Sequence, residues 1–249
     1  MKVISAIIVG LFFVFNAQNV LACMCGHTSI SDAYAEAGAV VNAVVEKVET
    51  NKNDQSKQSI TLRIAKSYKG TKSKTVNLIQ ENSNCDWWFK DENVGKSYLF
   101  YLGKLKSVNN FTVISCGRSS EISDAVNDLS WLDGLPKSLN RTRISGVTQI
   151  KSDEGYPPLA NIKLEIVSKD KKYEVVTDRN GLYEIWDVSA GVYSVFPIIP
   201  NDYVLGWTTS VPNNWIYFWN EDSQDKDSLK VDLQPKSSGG VDFMFKRKK

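Results

Sequence analysis

Histidine is nearly absent: His27 is the single imidazole in 249 residues. This excludes His-rich zinc centres and the H-E-x-x-H metalloprotease site, which needs two imidazoles on one helix face. It also weakens any Ser-His-Asp arrangement. No glycine-rich phosphate loop is present, and the acidic residues are too dispersed for paired-carboxylate chemistry. Charge of one sign is lacking as well. Thirty Lys and Arg against 28 Asp and Glu leave a formal net charge of +2, which implies no strongly charged partner. The basic tail Lys246-Arg247-Lys248-Lys249 reads as a solvated terminus. Without a wider basic face, no nucleic-acid partner is expected. The chain is therefore expected not to be an enzyme and to hold no cofactor or metal of its own.

Long apolar runs are missing after the leader, so no transmembrane span is expected. The leader has one early charge, Lys2, and an apolar run over residues 3–15. A bilayer needs about 20 such residues. Asn16, Gln18 and Asn19 break the run, and Val20 and Ala22 suit the small −3 and −1 pockets of a signal peptidase. Residues 1–22 thus read as a cleaved signal peptide, directing the chain to a secreted, periplasmic or extracellular location. Cleavage would make Cys23 the first mature residue. Its free α-amino group would then lie beside its carbonyl, and such a pair can chelate a metal held by another protein. A lipid anchor at Cys23 is the competing reading, although Leu21 fits the lipid-attachment pattern poorly.

Only four cysteines occur, Cys23, Cys25, Cys85 and Cys116, all in the first half. In an exported chain they suggest two disulfides. Pairing Cys23 with Cys25 would close too tight a ring, and the two remaining connectivities are both open. Either one ties the N-terminus to two distant points and turns a normally frayed end into a rigid wedge. Cys23-Met24-Cys25-Gly26-His27 would suit a soft metal such as Cu(I) if the thiols stayed reduced. The two downstream cysteines argue against that state.

Residues 31–37 read as a short helix capped by Ser31 or Asp32 and ended near Gly38. Strands are expected over 39–48, 60–64, 75–79, 97–102 and 111–114, with a polar loop over 50–59. Ile122, Ala125, Val126, Leu129 and Leu132 are spaced like one face of a helix over 121–132, capped by Ser120 or Ser123. About five strands with a terminal helix suggest a small barrel of OB type.

Cys23-Met24-Cys25, the strand from Ala39 to Val48, Ile60-Thr61-Leu62-Arg63-Ile64 with Tyr68-Lys69-Gly70, and Tyr98-Leu99-Phe100-Tyr101 with Cys116 together resemble the netrin-like module. More closely, they resemble the inhibitory domain of the tissue inhibitors of metalloproteinases. The resemblance covers residues 23–137. It implies the pairs Cys23–Cys85 and Cys25–Cys116. It further implies that the Cys23 amine and carbonyl bind the catalytic zinc of a target metalloendopeptidase, at the position that water normally fills. Met24 would enter the first primed-side pocket of that protease. The chain departs from vertebrate members in lacking a third disulfide in this domain and a second cysteine-rich domain. Netrin-like modules also occur in proteins that inhibit nothing, so a non-inhibitory structural or binding protein of the cell envelope is the alternative.

Residues 142–249 follow a linker near Pro136 and contain no cysteine. Seven strands are expected, over 142–148, 160–167, 172–177, 182–186, 191–195, 229–233 and 240–245, with an Asn-Gly turn at Asp178-Arg179-Asn180-Gly181. This pattern indicates a β-sandwich. Gly146-Val147, Pro158-Leu159-Ala160-Asn161-Ile162, Thr177 to Tyr183, and Gly191-Val192-Tyr193 resemble the carboxypeptidase regulatory-like domain, which implies a transthyretin-like sandwich. Trp207, Trp215, Tyr217 and Trp219 suit either a carbohydrate platform or, more commonly, packing.

Overall fold

The chain is described from a computed structural model, covering residues 28–82, 87–105, 110–153, 155–211, 215–218 and 229–248. The leader, Cys23, Met24, Cys25 and Cys85 lie outside the described residues. The protein is mainly β, a closed barrel followed by a two-sheet sandwich.

Five strands form the barrel: β1 (Ala39–Thr50), β2 (Lys57–Lys69), β3 (Thr75–Glu81), β4 (Ser97–Lys104) and β5 (Asn110–Val113). They pair in the order β1-β2-β3-β5-β4, and β4 returns to pair with β1, closing the circuit. Every barrel pair is antiparallel except β3 with β5. This is the strand order of an OB-type barrel. Alternate residues point inward, as strand geometry requires. Ala39, Val41, Ala43 and Val45 of β1 meet Ile60, Leu62, Leu78, Phe100 and Val113 in one core.

Strands β1 and β4 are buried on both faces. Val40, Leu99 and Tyr101 point out of the barrel into a second apolar cluster. That cluster is closed by helices α1 (Ile30–Glu36) and α2 (Val126–Asp133), through Ile30, Ala33, Trp131 and Leu132.

Both helices start where the sequence pattern did not place them. Helix α1 is capped by Ser29 rather than Ser31 or Asp32: the Ser29 hydroxyl accepts from the Asp32 amide at 3.1 Å. An N-cap oxygen serves an amide two or three residues on, so a cap at Ser29 satisfies Asp32. Helix α2 begins at Val126, and neither Ser120 nor Ser123 caps it. Ser120 and Glu121 instead form a two-residue strand, β6, on β4.

The seven strands expected in the second half are all present, and two more join them. They are β7 (Arg143–Ile150), β8 (Lys163–Val167), β9 (Lys172–Val176), β10 (Leu182–Trp186), β11 (Gly191–Pro197), β14 (Lys230–Leu233) and β15 (Ser238–Arg247). The additions are β12 (Tyr203–Val211) and β13 (Trp215–Phe218). One sheet runs β10-β7-β15-β12-β13 and the other β14-β11-β8-β9. Ile144, Leu164, Ile166, Val195, Val231, Val241 and Phe243 fill the space between them. The Asp178 turn forms as expected, its carboxylate accepting from the Asn180 and Leu182 amides at 2.8 and 2.9 Å. It carries the chain from one sheet to the other, since β9 and β10 belong to different sheets.

Candidate functional site

Chain geometry where the N-terminal segment enters the fold is set by one buried ion pair. Arg118 lies in the loop after β5, and Asp128 on the inward face of α2. Arg118 Nε and Nη2 donate to Asp128 Oδ2 and Oδ1 at 2.8 and 2.6 Å. The two side chains are 18% and 7% exposed, so this pair is shielded from solvent. The Tyr101 hydroxyl, from the outward face of β4, donates to Asp128 Oδ2 at 2.7 Å. Such bidentate, charge-assisted geometry fixes both position and plane.

Arg118 Nη1 is left for another acceptor and donates to the backbone carbonyl of Thr28 at 2.9 Å. The entering chain is therefore clamped one residue before the α1 cap. Burial works against the Arg118 charge, but the Asp128 carboxylate outweighs it and holds the guanidinium above the usual arginine range. Burial, aided by Asp128, likewise pushes the Tyr101 hydroxyl far up. Both groups keep one protonation state across the physiological range.

Cys116 sits two residues before Arg118, in a turn with φ of 54°. It is not a free thiol. Thr28, Cys116 and Arg118 line one hollow of about 320 Å³ with Ala33, Tyr101 and Ile114. Of the four cysteines and Met24, Cys116 alone is described, and it lines the same hollow as Thr28, whereas Trp207 lies in β12 and Trp215 and Tyr217 in β13. The contacts of Cys23, Met24, Cys25 and Cys85 fall outside the described residues, as does Trp219.

Sequence reasoning missed Arg118, Asp128 and Tyr101. One signal was available for Asp128: it lies three residues after Ala125 and three before Trp131, on the apolar stripe of α2. A carboxylate there needs a buried partner.

The outer face of the β10-β7-β15 sheet packs on both helices. Ser145 Oγ donates to Asn127 Oδ1 at 2.9 Å, and Ser130 Oγ to Glu184 Oε2 at 2.8 Å. Arg143, fully buried, donates to Glu184 Oε2 at 2.7 Å and to the Asn127 carbonyl at 3.2 Å. Its guanidinium also lies 4.9 Å from the Trp186 ring centroid. The Ser238 amide donates to Ser31 Oγ of α1 at 3.3 Å. Among the described residues, no helix is long and apolar enough to cross a membrane.

No family model matches the chain, and no curated protein matches it. Among solved structures it is similar to the Bacillus anthracis TIE protein, at 12% identity and a TM-score of 0.29. That match covers 85% of this chain and 35% of the other, so the chain spans about a third of that protein's length. It is also similar to two Streptococcus pyogenes major pilins. The T3.2 pilin is 13% identical with a TM-score of 0.21, covering 84% of this chain and 90% of that one. The T-13 pilin is 11% identical with a TM-score of 0.19, covering 89% and 94%.

Proposed function

We propose that the chain is an exported inhibitor of a zinc metalloendopeptidase. In this reading residues 1–22 are removed as a signal peptide. The free Cys23 amine and carbonyl then chelate the target's zinc, and Met24 occupies the adjoining pocket. The disulfides are Cys23–Cys85 and Cys25–Cys116. The protein acts stoichiometrically and not as an enzyme.

The observation that carries this reading is the clamp from Arg118 to the Thr28 carbonyl beside Cys116. A chelating terminus inhibits well only if its position is settled before binding, because ordering it on contact would cost affinity. The clamp supports this reading by holding Thr28, which is three residues from Cys25 in sequence. The OB-type barrel order agrees with the resemblance drawn from the sequence. Chelation needs the neutral amine, whose ordinary pKa is about 8, so zinc competes with a proton there.

The test is inhibition of a panel of zinc metalloendopeptidases by the exported protein and by a form with one Ala added before Cys23. The expected outcome is inhibition by the first and none by the second. Equal potency of the two would overturn zinc chelation. No inhibition by either would leave a non-inhibitory protein of the cell envelope. Intact mass of the non-reduced protein comes first. It should show a chain beginning at an unacylated Cys23, four hydrogens lighter than its reduced form.

A further inference from the structure

Where the sandwich meets the barrel, the Asp242 carboxylate has no counter-ion among the described residues. In the parallel pair of β7 and β15, regular register holds at Gly239↔Ile144 and resumes at Phe243↔Thr148. Between these points the strands come unusually close. A Cβ on Gly240 would lie 1.5 Å from the Ser145 carbonyl oxygen, and one on Gly146 would lie 2.3 Å from that of Val241. Only glycine fits both positions.

Side chains replace the regular ladder bonds here. The Tyr183 hydroxyl donates to the Val241 carbonyl at 2.8 Å and accepts from the Val241 amide at 3.0 Å. Asp242 Oδ1 accepts from the Val147 amide at 2.8 Å. Asp242 also lines a cavity of about 20 Å³ that both units share, together with Ile30, Arg118, Asn127 and Ser145. That space holds about one water.

The other charges facing this junction are already paired. Arg118, after β5, is committed to Asp128 of α2. Arg143 of β7 is committed to Glu184 of β10. The ionised Asp242 thus adds an uncompensated charge, relieved by one amide and the more distant pull of Arg118 and opposed by Asp128. Desolvation with so little compensation disfavours the charged form.

We propose that Asp242 is a proton-operated latch between sandwich and barrel, seated when the carboxyl is neutral and loosened when it is ionised. Burial is the main cause that pushes this carboxyl up to about 6, from an ordinary 3.8. The direction follows from linkage. The docked state binds the proton more tightly than an opened, hydrated one, so docking strengthens as pH falls through 6 towards 3.8. From pH 8 to pH 5 the opening equilibrium should fall about tenfold. This inference does not depend on protease inhibition.

The test uses the full chain and amide hydrogen exchange, corrected for the intrinsic pH dependence of exchange. Peptides from α2 and from β15 should gain about tenfold protection between pH 8 and pH 5, with a midpoint near 6, while β2 and β3 stay unchanged. Asp242→Asn keeps an acceptor for the Val147 amide but not the charge. It should show high protection at both pH values. An unaltered midpoint in that variant would overturn the latch, as would a flat profile in the native chain. A carbon-13 titration of the native Asp242 carboxyl needs no variant, and a midpoint at or below 4 would equally end the proposal.

Discussion

Two arginines, Arg118 on the barrel side and Arg143 on the sandwich side, are buried within the same junction and meet opposite fates. Arg118 uses Nε, Nη1 and Nη2, and its acceptor Asp128 is itself buried. Arg143 uses Nη1 and Nη2, but its Nε finds no partner among the described residues, and Glu184 is 34% exposed. Burial and incomplete compensation by Glu184 hold Arg143 below the usual arginine range, whereas Arg118 is held above it. The contrast teaches that burial alone does not make an ion pair structural. Saturation of the donors, and the depth of the partner left behind, decide it.

The largest expected effect tests that contrast directly. Arg118→Leu strands the buried Asp128 charge and should cost about 3–5 kcal/mol of stability. Arg143→Leu also removes an unsatisfied donor and leaves Glu184 able to rehydrate, so it should cost about 1 kcal/mol or less. Urea unfolding of the two variants measures both values. Equal losses would show that saturation does not distinguish the pairs. Arg118→Leu should in addition free Thr28, read as loss of protection at the Ser29 and Ile30 amides.

The strands of the barrel and the seven expected strands of the sandwich were legible because their periodicity is local. Alternation in Ile60-Thr61-Leu62-Arg63-Ile64 states both a strand and its buried face, and the structure honours it. The Arg118–Asp128–Tyr101 cluster was not legible, because its members come together only when α2 closes on β4. Strand β12 was missed for a different reason. Thr208, Thr209 and Ser210 are consecutive polar side chains that carry no apolar alternation, yet each is almost fully buried. Ser120 read as a helix cap and Glu121 as the first helical residue, but pairing with Leu99 and Tyr98 offered their backbone a sheet edge instead.

A middle-sized effect separates the two ways in which the β7–β15 pair is held. Tyr183→Phe removes one hydroxyl that serves both polar groups of Val241. A buried amide and carbonyl would lose their partner together, costing about 1–3 kcal/mol. The regular part of the pair, at Phe243↔Thr148, should keep its hydrogen-exchange protection. A loss spread evenly along β15 would mean that the tyrosine supports the whole strand rather than the break in its ladder.

The smallest effect carries the barrel-and-sandwich contrast between satisfied and unsatisfied groups down to single hydroxyls. Thr148 and Thr208 are both fully buried in the sandwich. Thr148 Oγ1 donates to the Leu159 carbonyl and lies 3.2 Å from that of Gly181. Among the described residues Thr208 Oγ1 has no partner, and neither has Ser210 Oγ two residues on. Valine copies the shape of threonine without the hydroxyl. Thr148→Val should therefore lose about 1 kcal/mol, since both carbonyls keep another donor. Thr208→Val should gain about 1 kcal/mol, because an unbonded hydroxyl is costly to bury. Opposite signs in the denaturation midpoints are the expected result. A loss at Thr208 would show that its hydroxyl is bonded in solution, placing an acceptor or a buried water against β12.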